Sequence, residues 1–229
     1  MKMDLVVNEI FTSIQGEGIH TGLVTTFIRL AGCDLRCRWC DTPYALSLKD
    51  GKPMSTDEVL EEIRSGGTDL VCITGGEPLF QKETATLVDG LLDSGFIVDI
   101  ETNGANDVSI LSLEERTLFL SVDVKPPSSG ESDGFLISNL DHMRGDDQLK
   151  FIVKDEKDLD FTMDFLSKHL PKCNIIIAPC SNEGGDKIAE RIIGEMKNCQ
   201  AEAFRNVLKK TRVMIQTHKV LWEPDLRGV

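Results

Sequence analysis

Short apolar runs rich in β-branched residues recur along this chain, each followed by a stretch with helical spacing. Six runs read as strands: 25–30 (TTFIRL), 70–74 (LVCIT), 97–101 (IVDIE), 118–123 (LFLSVD), 149–153 (LKFIV) and 174–178 (NIIIA). Between them, residues 56–65, 82–94, 159–169 and 186–197 carry helical periodicity, with Ser55 or Thr56 as an N-cap, Gly95 as a stop and Pro171 just past another end. Alternation of strands with helices predicts parallel βα units, because parallel neighbours need a crossover between them. Six strands with five or so crossovers predict an α/β fold, a partial, open (β/α)6 barrel forming one domain over residues 1–229. A closed eight-stranded barrel takes roughly 250 residues and would strain this length.

In parallel α/β folds, sites form where loops leave the carboxyl ends of strands. Four such loops hold unusual residues: Thr74-Gly75-Gly76-Glu77-Pro78, Thr102-Asn103-Gly104, Asp123-Val124-Lys125-Pro126 and Pro179-Cys180-Ser181. These loops are expected to converge with the cysteine-rich loop at 32–43. Segment 126–139 (PPSSGESDGFLISN) lacks a helical period and reads as a loop or insertion. The run 9–18 (EIFTSIQGEG) is dense in polar residues and glycine where a strand might begin. Gln15 can donate and accept and Glu17 can accept from ring N–H groups, which suits a purine-like or pterin-like ring; a hairpin or turn with exposed polar residues fits the same letters.

Charge and composition narrow the possibilities. The formal net charge of −13 repels phosphate backbones, so stable RNA or DNA binding is not expected. No apolar run approaches the ~20 residues of a membrane span, and the first residues (MKMDLVVNEIF) do not form a secretory signal. Seven cysteines, an odd number, point to a reducing cytoplasm.

Three of those cysteines carry the chemistry. Cys33, Cys37 and Cys40 form CxxxCxxC in GCDLRCRWCDTPY, with no fourth Cys before Cys72 and no His before His142. Closed zinc sites use four ligands, and iron–sulfur clusters usually bind four cysteines. Three thiolates on a four-iron cluster leave one iron open to an outside ligand. The spacing i, i+4, i+7 also fits a core stripe on a helix, and zinc or a redox disulfide remains a rival; Gly32, Asp34, Asp41 and Pro43 favour a loop instead. An open iron needs a chelating donor such as the amine and carboxylate of an amino acid. Gly75 and Gly76 would let backbone approach such a ligand, with Glu77 as nearby charge, or they simply make a tight βα turn.

Other residues are singled out by context. Arg29 lies in an apolar strand and needs a carboxylate from protein or ligand. The Thr42 hydroxyl is a hard oxygen that suits Mg²⁺ or caps the turn before Pro43. The tail, 213–229, is rich in chemistry for a terminus: His218 and the Val229 carboxylate could reach a pocket, and Trp222 could anchor it. Cys72 reads as core, while Cys173, Cys180 and Cys199 have no partner at ligand spacing.

Taken together, CxxxCxxC and GGEP resemble the radical S-adenosylmethionine (SAM) superfamily. FTSIQGEG, FIRLAGC, CDTPY, ITGGEP, IETNG, KPPSSG and QTHKVLW…RGV, in order from Glu9 to Val229, resemble the 7-carboxy-7-deazaguanine synthase family within it. The resemblance implies conversion of 6-carboxy-5,6,7,8-tetrahydropterin to 7-carboxy-7-deazaguanine with loss of ammonia, on the route to the deazapurine tRNA nucleosides queuosine and archaeosine. It implies a [4Fe–4S] cluster on Cys33, Cys37 and Cys40, SAM on the fourth iron, and Mg²⁺ on Thr42. It gives no protein acid or base a catalytic role; the hydrogen is abstracted by the radical derived from SAM. Ile14, Gln15, Gly16, Glu17, Arg29, Thr74, His218 and Val229 would face the pterin. Trp39, Cys40, Asp41, Gly76, Asp123, Val124, Lys125, Ala178, Pro179, Cys180 and Ser181 would line SAM. Two positions depart from the family: many members read Ser-Pro-Lys at 123–125, and some end in proline. A homodimer and an external electron donor of flavodoxin or ferredoxin type are also implied. A glycyl-radical activating enzyme shares the cysteine loop and is the alternative.

Overall fold

All six expected strands form and lie side by side in chain order. In the computed structural model, which describes residues 4–181, 184–223 and 226–228, they are β2 (Val24–Leu30), β4 (Leu70–Gly75), β5 (Ile97–Thr102), β6 (Leu118–Asp123), β7 (Gln148–Val153) and β8 (Asn174–Pro179). Each pairs in parallel with the next. Three more strands widen the sheet: β1 (Leu5–Ile14), β3 (Lys52–Met54) and β9 (Thr211–Val213). The order is β3-β1-β2-β4-β5-β6-β7-β8-β9, so the sheet ends in two different edges and the barrel stays open.

The added strands escaped the periodicity for physical reasons. Strand β1 runs antiparallel to β2, and its register shifts between Val7 and Glu9. The shift frees Asn8, whose amide donates to Tyr44 O at 3.1 Å and to Asp50 O at 2.5 Å. A bulge breaks the alternation that marks a strand. Strand β3 contains Pro53 and sits at the sheet edge, where a missing N–H is tolerated.

Helix α1 (Thr56–Arg64) starts at Ser55 through a reciprocal capping box with Glu58. Helices α2 (Thr84–Asp93) and α5 (Gly185–Asn198) fall close to expectation. Helix α4 (Glu156–His169) begins three residues before the expected 159, because the Asp155 carboxylate accepts from Lys157 N and Asp158 N. Two crossovers are slighter than expected. Between β5 and β6 the only helical piece is a 3₁₀ turn at Val108–Ile110; between β6 and β7, after a further 3₁₀ turn at Pro127–Ser129, comes α3 (Asn139–His142). Helices α6 (Glu202–Leu208) and α7 (His218–Leu221) were not anticipated.

One alternation within the buried strands positions the site. Val98, Ile100, Leu120, Val122, Leu149 and Phe151 belong to the apolar core. The residues between them on the same strands are Asp99, Glu101, Ser121, Asp123, Gln148 and Lys150. Successive strand residues face opposite sides, so the helix-side face is apolar and the interior face carries charge.

Candidate active site

A cavity of about 620 Å³ opens on this charged face at the carboxyl ends of the strands. All three loop cysteines line it, each half-buried and none in a disulfide. Their loop has no regular structure and is held by its backbone: Gly32 N donates to Ala45 O at 2.8 Å, Cys33 N to Leu46 O at 3.2 Å, and Glu77 N to Gly32 O at 2.8 Å. From outside, Arg38 N donates to Ser129 O at 2.9 Å and Trp39 Nε1 to Ser128 Oγ at 3.1 Å. The Ser128 amide and hydroxyl are anchored in turn on the buried Asp158 carboxylate. Segment 126–139, expected as a plain loop or insertion, is thus a clamp on the cysteine loop.

Burial raises all three thiols, that of Cys33 to about 11. Among the described residues, no three Cys, His, Asp or Glu side chains stand together as a ready metal cage. The donor set nonetheless suits a metal–sulfur group: three soft thiols on one loop share a cavity, and a metal would displace their protons.

Gly75 and Gly76 line the cavity and are also required by packing. Gly75 has φ +135°, and a Cβ there would lie 2.1 Å from Leu30 O; at Gly76 it would lie 2.2 Å from Gly32 O. Backbone of β2 and of the cysteine loop packs where side chains would stand. Glu77 is fully buried and not a free charge beside a ligand. It accepts from Leu79 N, Thr102 Oγ1 and Asn103 N at 2.9, 2.7 and 2.6 Å. Burial raises its carboxyl, against these hydrogen bonds, to about 7. It is a strut between the ends of β4 and β5.

On one side of the cavity lie Ile14, Gln15, Gly16, Glu17, Thr74 and His218. Glu17 Oε2 is 2.5 Å from Lys150 Nζ, and Glu17 Oε1 accepts from Gln216 Nε2 at 2.5 Å. Burial would raise the Glu17 carboxyl, but Lys150 and then His218 outweigh it and hold it at about 2. Thr74 Oγ1 donates to Glu101 Oε2 at 3.0 Å, and Gln15 Nε2 donates to Glu101 Oε1 at 3.4 Å. Burial lifts Glu101 to about 6, with Lys150 opposing. The His218 ring packs on Gly16, where a Cβ would meet Nδ1 at 2.3 Å, and burial lowers its pKa. Thr217 N donates to Gly16 O at 2.9 Å, which ties the tail to this loop.

Arg29 found its carboxylate within the protein, donating from Nε to Glu9 Oε1 at 2.7 Å. Its guanidinium also lies 5.7 Å from the Tyr44 ring, whose centroid is 3.8 Å from the Arg227 guanidinium. The tail therefore reaches the cavity rim; Val229 lies outside the described residues.

The lining also includes Trp39, Asp41, Thr42, Asp123, Lys125, Cys180 and Ser181, and Lys150 Nζ, bonded to Glu17, lies 3.7 Å from Asp123 Oδ2. Asp123 Oδ2 accepts from Lys125 Nζ at 3.0 Å, while Asp123 Oδ1 is buried without a hydrogen-bond partner. Lys125 Nζ stands 5.9 Å from the Trp39 ring. Thr42 Oγ1 donates to Asp41 Oδ1 at 2.9 Å and makes no cap bond to the turn at Pro43–Ala45. Val124, Ala178 and Pro179, expected beside them, do not line the cavity: they are buried, with Val124 N donating to Lys150 O at 2.9 Å.

Glu101, Lys150, Tyr44 and Gln216 were not picked out from the sequence. Polar residues two apart inside otherwise apolar strands were the available signal for the first two. Cys72 is core, as expected, and its sulfur also accepts from Gln15 Nε2 at 3.6 Å. Cys72→Ala is expected to cost about 1 to 2 kcal/mol of stability, measured by urea unfolding, while iron content stays unchanged.

The comparisons agree in one direction. Residues 27–125 match the family model described as the Radical SAM superfamily. A 7-carboxy-7-deazaguanine synthase of Thermoplasma acidophilum is 37% identical, covering 98% of this chain and 100% of its own. That of Koribacter versatilis is 35% identical, covering 97% and 99%. Among solved structures, QueE from Escherichia coli superposes with a TM-score of 0.71 at 25% identity, over 94% of this chain and 95% of that one.

Proposed function

The chain belongs to the 7-carboxy-7-deazaguanine synthase family of radical SAM enzymes, and on that premise we propose how its cavity converts 6-carboxy-5,6,7,8-tetrahydropterin to 7-carboxy-7-deazaguanine and ammonia. The carrying observation is that one cavity joins three unpaired thiols to two polar walls of different chemistry. The glycyl-radical activase reading finds no support among relatives that match over nearly the whole chain. Cys33, Cys37 and Cys40 would hold the [4Fe–4S] cluster, to which SAM would bind. Bound there, the pair supplies a one-electron cleavage that abstracts a substrate hydrogen.

The protein's own share is binding, orientation and exclusion of water. The substrate faces the wall of Gln15, Gly16, Glu17, Thr74 and His218; Glu17, kept as a carboxylate, accepts from ring N–H groups. Arg29 faces the substrate, and the tail closes over the pterin; the same reading assigns the terminal carboxylate of Val229, outside the described residues, to the pterin as well. Trp39, Asp41, Gly76, Asp123, Lys125, Cys180 and Ser181 receive SAM, with Val124, Ala178 and Pro179 supporting that wall from behind. The Thr42 hydroxyl would serve as a hard oxygen donor to Mg²⁺ or to another hard divalent ion. The overall conversion removes ammonia and is redox-neutral, so SAM is regenerated and the external flavodoxin- or ferredoxin-type donor primes rather than feeds the cycle.

Mass spectrometry of one anaerobic turnover tests the whole reading; cleaved SAM without a deazapurine would overturn it. Thr42→Ala is expected to lower product formation roughly tenfold more than SAM cleavage, because the ion orients the rearranging substrate. Equal losses would remove Mg²⁺ from Thr42. A homodimer belongs to the same reading: Leu23 and Val24, 51% and 58% exposed, offer apolar surface to a second copy. Light scattering after gel filtration decides that point.

A further inference from the structure

Lys150 is 4% exposed on β7 and stands between the two walls. Its Nζ is 2.5 Å from Glu17 Oε2 and 3.7 Å from Asp123 Oδ2. Each of these carboxylates has acceptor capacity left. Asp123 Oδ1 is buried without a hydrogen-bond partner, and each oxygen of the ionised Glu17 can accept more than one donor. Buried polar atoms are nearly always satisfied, so an orphan oxygen on a residue that lines the cavity leaves a place for a donor from a ligand.

We propose that Lys150 is a positioning residue that holds one acceptor for each ligand: Glu17 for the N–H edge of the pterin, and Asp123 for a ribose hydroxyl of the nucleoside. It rests on the division of the cavity given above. It also accounts for the buried charge of Asp123, which the ammonium of Lys150, together with that of Lys125, balances.

The consequence for Glu17 has a definite sign. Burial pushes this carboxyl up and Lys150 is the largest opposing influence. Other charges surround the pair: Asp99 and Glu101 from β5, Asp123 from the end of β6, Lys125 from the loop after it, and His218 and Lys219 from the tail, with Asp41 beyond His218. Without Lys150, the Glu17 carboxyl rises and takes up a proton as pH falls. A protonated carboxyl turns one oxygen into an O–H donor and keeps only its neutral carbonyl oxygen, a weaker acceptor for ring N–H groups. Pterin affinity then falls with falling pH.

The test titrates the anaerobically reconstituted enzyme with two probes, 6-carboxypterin by its fluorescence and S-adenosylhomocysteine by calorimetry. Lys150→Met is expected to weaken both roughly ten- to a hundredfold, the size of a charge-assisted contact at each end. Glu17→Gln should weaken only the pterin, and Asp123→Asn only the nucleoside. The pterin deficit of Lys150→Met should widen from about pH 8.5 to about pH 6.5 and lose that dependence when Glu17→Gln is added. Recovery of either affinity in Lys150→Arg supports charge over packing. The proposal is overturned if Lys150→Met binds either probe as the wild type does, or if its deficit ignores pH. A wild type that binds neither probe overturns the reading of the cavity as well, whereas intact binding in the wild type and in Lys150→Met removes only the role of Lys150.

Discussion

Cys37→Ala is expected to come out of anaerobic reconstitution without the broad visible absorbance of an iron–sulfur cluster and with no measurable turnover. A cluster on three protein thiolates has none to spare, since its fourth iron is reserved for SAM. The loss should be local. Cys37 is half-buried, and its visible structural contact is through backbone, with Cys40 N donating to Cys37 O at 3.3 Å. That hydrogen bond survives truncation to alanine, so the thermal unfolding of the metal-free protein should move by no more than about 0.5 kcal/mol in stability. Cys180 also opens into the cavity and is the one thiol placed to substitute. If Cys37→Ala keeps iron, the double variant with Cys180→Ala decides between a stand-in ligand and a wrong assignment. Iron retained in both variants would refute three-cysteine ligation.

Gly76→Ala is expected to do more damage than any ligand change, because it attacks the seat of the loop. The new Cβ would lie 2.2 Å from Gly32 O and 2.6 Å from Ala45 O. Both obstacles are backbone, so no side chain can rotate away. Relief requires the loop to move by about 1 Å, which breaks the bonds Glu77 N to Gly32 O and Gly32 N to Ala45 O. We expect a loss of about 3 kcal/mol or more, by urea unfolding, together with poor cluster retention. Gly194 provides the contrast: it lies within α5, and nothing stands within 4 Å of a Cβ there. Gly194→Ala should instead stabilise by roughly 0.5 to 1 kcal/mol, through helix propensity alone. Equal effects at both glycines would show that the close approach at Gly76 carries no energy.

The chain's local patterns were enough to place the six parallel strands, the open barrel and the cysteine loop. Each is written within a few residues: β-branched runs for strands, and thiols four and then three apart for the metal. Local pattern also marked Gln15, Glu17, Arg29 and Thr74 as chemically unusual. What it could not settle was the partner of each. Arg29 was open between ligand and protein; the fold pairs its Nε with Glu9 and also places it in the cavity lining. Glu77 looked like a charge for a ligand, and the fold buried it as a strut. Gly75 and Gly76 looked like room for a ligand; they line the cavity, and the fold also packs backbone where a Cβ of either would stand. Glu17 meets Lys150 across 133 residues and Gln216 across 199. No short-range period encodes such pairs. They exist because parallel strands bring their interior faces together, and because a charge removed from water must find its counterpart wherever the sheet delivers one.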